Sequence, residues 1–135
     1  MKQGKSIFLL SAIALMLLAG CADKSSLLIR TWKMQDLKYS RQVPKDMQPA
    51  IDRSLNEMRS SFSLTYNADG TYTTKMNNNV LQGKWKLNWN STKINTVNDK
   101  GEQKDYSIVE LTDNRLSFEA IEGNDKVTFV MVAAK

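Results

Sequence analysis

The chain changes its hydrophobic rhythm several times, and each change marks a different kind of segment. Ile7 to Gly20 is almost continuously apolar, whereas Leu28 to Tyr39 mixes Trp32, Met34 and Leu37 with polar residues in the manner of a first strand. Between residues 46 and 59 the spacing lengthens to three and four. Met47, Ala50, Ile51, Leu55 and Met58 recur on one helical face, while Asp52, Arg53, Asn56, Glu57 and Arg59 fall mostly elsewhere. Pro44 and Pro49 sit at the start of this segment, and Asp46 is placed to cap its free N–H groups. The pattern predicts an amphipathic helix of about three turns ending near Ser60.

Past the helix the period falls to two. Phe62, Leu64 and Tyr66 alternate with Ser61, Ser63 and Thr65, the signature of a strand with one buried face. Asn67-Ala68-Asp69-Gly70 is a tight-turn sequence, because Gly70 can take the positive φ that a hairpin demands. Thr71 to Met76 is the return strand and Asn77-Asn78-Asn79 the next reversal. Gly83, Trp85, Leu87 and Trp89 share one face of a fourth strand, with Lys84, Lys86 and Asn88 on the other. Further strands are expected at 93–97, 105–111, 115–121 and 126–133, divided by Asn98-Asp99-Lys100-Gly101, Asp113-Asn114 and Gly123-Asn124.

The fold class expected is mainly β. Eight short strands joined by short turns form an antiparallel meander, and closing it into an up-and-down β-barrel removes both edges. One amphipathic helix lies between strands 1 and 2. A two-sheet sandwich fits the same turn pattern.

The apolar N-terminal run reads as a signal. Lys2 and Lys5 precede 14 residues, Ile7 to Gly20, which fall short of the ~18–20 needed to span a hydrocarbon core. Leu18-Ala19-Gly20-Cys21 resembles the lipobox of bacterial lipoproteins. That resemblance implies cleavage after residue 20, a diacylglyceryl group on the Cys21 sulfur, and membrane attachment through that lipid. Ala22 follows the cysteine instead of Asp, so the resemblance gives no inner-membrane retention signal and points to the outer membrane, facing the periplasm. The expected organisation is a signal at 1–20, a tether at 21–27 and one domain at 28–135. An extended leash of about six residues reaches roughly 20 Å, which keeps the domain near the membrane surface.

Composition narrows the chemistry. Removing the first 20 of 135 residues leaves 115, and lowers Lys+Arg from 19 to 17 against 14 Asp+Glu. A mature net charge of about +3, scattered singly, gives no nucleic-acid signature. Cys21 is the only cysteine, so no intrachain disulfide can form. No histidine is present, which removes the commonest general base and zinc ligand. Glu57, Glu110, Glu119 and Asp105 are isolated acids on separate elements, and no phosphate loop, metal cluster or nucleophile motif appears. The expectation is a protein without catalytic activity, metal or cofactor.

With these elements placed, the chain resembles the small lipocalin-like lipoproteins of bacteria, a calycin-type barrel family. The resemblance rests on Leu28-Ile29-Arg30-Thr31-Trp32-Lys33, on Ser61 through Tyr72 with its Asn67-Ala68-Asp69-Gly70-Thr71-Tyr72 hairpin, on Gly83-Lys84-Trp85-Lys86-Leu87 and on Ile108-Val109-Glu110-Leu111-Thr112. It covers essentially all of residues 27–133. First strands of that family usually carry Gly-x-Trp, and here Arg30 holds the glycine position. The resemblance implies a barrel that binds a small apolar molecule.

The candidate interior set is Trp32, Phe62, Tyr66, Tyr72, Trp85, Trp89 and Phe118, with Met76 and Met131 beside it. Trp85 and Trp89, four apart on one strand face, would stand ~13 Å apart and line a cavity of a few hundred Å³, or simply fill the core. Arg30 shares strand parity with Trp32 and would reach a ligand carboxylate or an aromatic ring, or lie at the rim with its head in water. The helix is either a lid over the mouth or a permanent plug. Two readings follow: a lipid-anchored carrier or sensor for a small apolar or amphiphilic ligand, and a filled barrel that binds a protein partner. The second predicts an exposed apolar patch, with Val80, Ile94 and Ile121 as the positions to check.

Overall fold

The computed structural model describes residues 24–135. The expected signal segment, Cys21 and the first residues of the tether lie outside the described residues. A helical turn at 24–28, α1, precedes strand β1 (Thr31–Tyr39). Helix α2 (Gln48–Ser61) leads into β2 (Phe62–Tyr66), followed by β3 (Thr71–Met76), β4 (Asn79–Leu87) and β5 (Lys93–Asn98). The chain finishes with β6 (Gln103–Leu111), β7 (Arg115–Glu122) and β8 (Asp125–Ala133). Each strand pairs antiparallel with the next and β8 returns to β1, so the sheet is a closed barrel in chain order. This is the up-and-down barrel that the meander predicts, and closure through β1 and β8 excludes the sandwich.

β1 is bonded unequally to its two neighbours. It pairs with β8 from Trp32 to Tyr39, with a bulge between Met34 and Asp36, but with β2 only from Thr31 to Lys33. Past Lys33 the helix takes over from β2. α2 packs against β1, β2 and β3, Arg59 Nε donates to the Gln35 carbonyl at 2.8 Å, and Leu55 and Met58 join the core. The helix therefore closes one side of the upper barrel where strand pairing fails.

Its N-terminus departs from the sequence reading. The N-cap residue is Met47, no side chain caps the helix, and Pro49 occupies its first turn. Asp46 is one residue too early to reach the free N–H groups from a cap position. Met47, expected on the buried face, is 54% exposed because it precedes the first helical turn. Of that face, Leu55 is buried and Ile51 and Met58 are half-buried.

The barrel has a sealed floor at the end where β1 begins and β8 finishes. Leu28 and Trp32 are fully buried there, with Leu116 and Met131 packed nearby, and Trp32 Nε1 donates to the Leu28 carbonyl at 3.1 Å. The segment expected as tether and strand start is thus structural. Residues 24–28 are helical, and β1 begins at Thr31, three residues later than predicted, because Leu28 turns inward to stop the floor. The mouth lies at the other end, beside α2.

Leu28→Ala empties a fully enclosed site under Trp32 and is expected to cost about 2–5 kcal/mol of stability in urea unfolding. A cost below about 0.5 kcal/mol, as for a surface change, contradicts the role given to Leu28.

Candidate functional site

The alternation of β2, β3 and β4 carries one row of side chains into the barrel. Tyr66 on β2 stands opposite Tyr72 on β3, and Tyr72 stands opposite Gly83 on β4. Gly83 is required by close approach: a Cβ there would sit 2.6 Å from Tyr72 Cε1, 2.3 Å from the Val97 carbonyl oxygen and 2.8 Å from Asn98 Cα. The missing side chain lets the Tyr72 ring lie across β4. Farther round, Thr96 faces Trp85 and Tyr106 faces Ile94.

These rows enclose a cavity of about 170 Å³. Its wall is aromatic, formed by Phe62, Tyr66, Tyr72, Tyr106, Phe118 and Phe129, with Leu64, Thr74, Leu81, Thr96 and Met131 between them. The rings brace one another, with centroids 4.8 Å apart for Tyr106 and Phe118, 5.3 Å for Phe118 and Phe129, and 6.5 Å for Tyr66 and Tyr72. No side chain of α2 lines the cavity, so the helix covers the barrel beside it without forming its wall. At the mouth a shallower depression of about 520 Å³ shares Phe62, Thr74 and Leu81 with the cavity and extends to Val80, Asp99 and Lys100. A wider trough of about 640 Å³ over β3–β5 is lined largely by outward-facing Thr71, Thr73, Gln82 and Lys84, and belongs to the outer wall.

The polar content of the cavity is three phenols and two threonines, without a lysine, arginine or carboxylate. Burial pushes the Tyr66 hydroxyl far above the usual phenol range, and the neighbouring Tyr106 and Tyr72 push it further. Tyr106 is raised first by burial, then by Tyr72 and Glu122. Burial also raises Tyr72, with a hydrogen bond from Thr96 opposing the shift and Asp99 adding to it. All three phenols stay protonated at neutral pH and present O–H donors.

The candidate residues read from the sequence divide into three groups. Phe62, Tyr66, Tyr72 and Phe118 line the cavity together. Trp32, Trp85 and Arg30 are structural neighbours of it. Trp32 is in the floor; Trp85 packs edge-on to Tyr66 at 5.2 Å and donates from Nε1 to the Asn67 carbonyl at 3.1 Å. The Arg30 guanidinium lies 5.6 Å from the Trp32 ring centre and donates to the Asp113 carbonyl, tying the floor to the β6–β7 turn. Arg30 falls before β1, so strand parity does not aim it into the interior.

Trp89 is a correction. It is 94% exposed, because β4 ends at Leu87 and Asn88 begins a turn in which its Oδ1 accepts from the Thr92 and Lys93 amides at 2.8 and 3.0 Å. Tyr106 and Phe129 were missed as lining residues. The bulge between Ile108 and Glu110 breaks the alternation of β6, which hides its inward face from a simple parity reading. Of the patch positions, Ile94 is fully buried, whereas Val80 and Ile121 are 55% and 76% exposed.

A closed eight-stranded antiparallel barrel around an apolar cavity defines a lipocalin-type architecture. The lipocalin-like domain profile matches residues 28–118, and the chain belongs to that family. Its fold is similar to a lipocalin-like protein from Bacteroides uniformis, with TM-score 0.54 and 11% identity over 80% of this chain and 99% of that one. It is also similar to a DUF4847 family protein from Bacteroides vulgatus, with TM-score 0.57 and 17% identity over 84% of this chain and 98% of that one. No curated protein matches the sequence.

The raised phenols make stability depend on alkaline pH. Above about pH 10 the unfolded chain releases tyrosine protons that the folded barrel retains, so stability is intact below that pH and falls as pH rises past it. Urea midpoints measured from about pH 9 to 11 are expected to fall, and to fall less steeply in Tyr66→Phe. Identical slopes in the two proteins contradict the burial of this hydroxyl.

Proposed function

We propose that this protein is a lipid-anchored binding protein of the cell envelope, attached through Cys21 to the outer membrane on its periplasmic side. It holds a small, uncharged, ring-sized amphiphile inside the barrel and works by binding, without a catalytic step or cofactor. The observation that carries this reading is the aromatic cavity itself, lined by Tyr66, Tyr72 and Tyr106 and by no charged side chain. A phenol O–H donates to an acceptor on a ligand, a bond worth about 0.5–1.5 kcal/mol net.

Charge and size narrow the ligand. A carboxylate in this cavity would lose its water with no cation to replace it. A cavity of roughly 150 Å³ holds benzene, so about 170 Å³ suits one ring or a short branched chain. Any longer polar part belongs in the mouth depression, past Phe62 and Leu81. The envelope address is supported by Leu18-Ala19-Gly20-Cys21 and its resemblance to a lipobox. The interaction-module reading draws its support from the exposed Val80 and Val97 on β4 and β5.

Calorimetric titration with acetophenone, toluene and benzoate tests the proposal. Acetophenone, a neutral ring with one acceptor, is expected to bind more tightly than toluene, and benzoate to bind least. Tyr66→Phe is expected to weaken acetophenone about 2–10-fold and to leave toluene unchanged. Binding of none of the three favours the interaction module; benzoate binding as tightly as acetophenone contradicts the uncharged-ligand assignment.

A further inference from the structure

Trp89 is the most exposed of the large apolar side chains among the described residues, and it is not on a loose loop. Asn88 Oδ1 accepts from two backbone amides across the turn, Ser91 N–H donates to the Asn88 carbonyl at 3.0 Å, and Ser91 takes a φ of +57° to complete the reversal. The turn therefore holds an indole out in solvent on a fixed support. Core packing does not explain it, since β4 has already ended.

Its position does. The β4–β5 turn lies at the floor end of the barrel, the end that receives the N-terminal segment. Lys24 and Leu27 of α1 share a surface depression with Ser91 and Thr92 of that turn. Only three residue steps separate Cys21 from Lys24, a span of at most about 11 Å. A lipid on Cys21 would thus hold this end of the barrel, and no other, against the headgroups. Lys86 and Lys93, on the strands either side of the turn, are exposed and form no ion pair among the described residues. An indole flanked by lysines matches the bilayer interface, where the ring's apolar body and polar N–H meet different surroundings and the ammonium groups meet lipid phosphates.

We propose that Trp89 is a membrane-interface contact: the barrel stands floor-down on the bilayer that carries its own lipid, with the indole at headgroup depth and the mouth facing away. This rests on the lipid-anchored part of the proposed function and is independent of what the cavity holds. The full chain, matured and purified in detergent, is reconstituted into phosphatidylethanolamine–phosphatidylglycerol vesicles containing brominated phosphatidylcholine. Tryptophan emission is expected to be partly quenched. Trp89→Phe is expected to remove most of that quenching, because Trp32 is fully buried and Trp85 packs half-buried against the core. Ile121→Trp, introduced into the Trp89→Phe chain near the mouth, is expected to emit unquenched.

Intact mass separates the two ideas. A mass without the diacylglyceryl group overturns the anchoring reading and this inference with it. A lipidated mass with unquenched Trp89, or with quenching at position 121, overturns the floor-down orientation alone.

Discussion

Everything in this molecule depends on β1 being bonded on both sides. Its long ladder with β8 and its short one with β2 turn a meander into a closed barrel. The strand also brings Trp32 onto the Leu28 carbonyl, which joins the floor to the helical turn beneath it. Where β1 and β2 part company, the structure needs another element to cover the gap, and α2 supplies it with Leu55, Met58 and the Arg59 bond to Gln35. The helix between the first two strands is thus a consequence of incomplete pairing.

Closure also sets the scale of the site. Eight strands enclose an interior that side chains can nearly fill, so empty space survives only where residues are small. Thr74 and Thr96 are such places, and the rings of Tyr66, Tyr72, Tyr106, Phe118 and Phe129 stand around them. Close ring packing keeps the wall firm, and burial keeps the phenols protonated. On the proposed reading, a site with hydrogen-bond donors and no charge would select a ligand by shape and by a single acceptor.

Much of this was legible in the chain, and the failures share a cause. Period two along 62–66 and 71–76, with the Asn67–Gly70 turn, placed Phe62, Tyr66 and Tyr72 on one inward face, because a strand's alternation is a local property of its backbone. Trp89 continues the alternation of Trp85 and Leu87 in sequence, yet lies outside the barrel. What ended the strand was the Asn88 side chain bonding to amides four and five residues ahead, which periodicity does not register. Tyr106 was hidden by a bulge in β6, and Leu28 looked like strand because a buried floor plug and a buried strand residue are equally apolar. The tryptophans are the largest rings in the chain, yet the rings of the cavity wall are tyrosine and phenylalanine. Trp32 and Trp85 use their N–H groups on backbone carbonyls and serve the frame.

Native mass spectrometry of the protein taken from its own envelope, before and after organic extraction, tests the central claim most directly. The account predicts a bound neutral species with a ring-sized apolar part that departs on extraction and shifts the emission of Trp85, which touches Tyr66. A clean apo mass, with emission unchanged by extraction, would contradict a ligand-holding barrel.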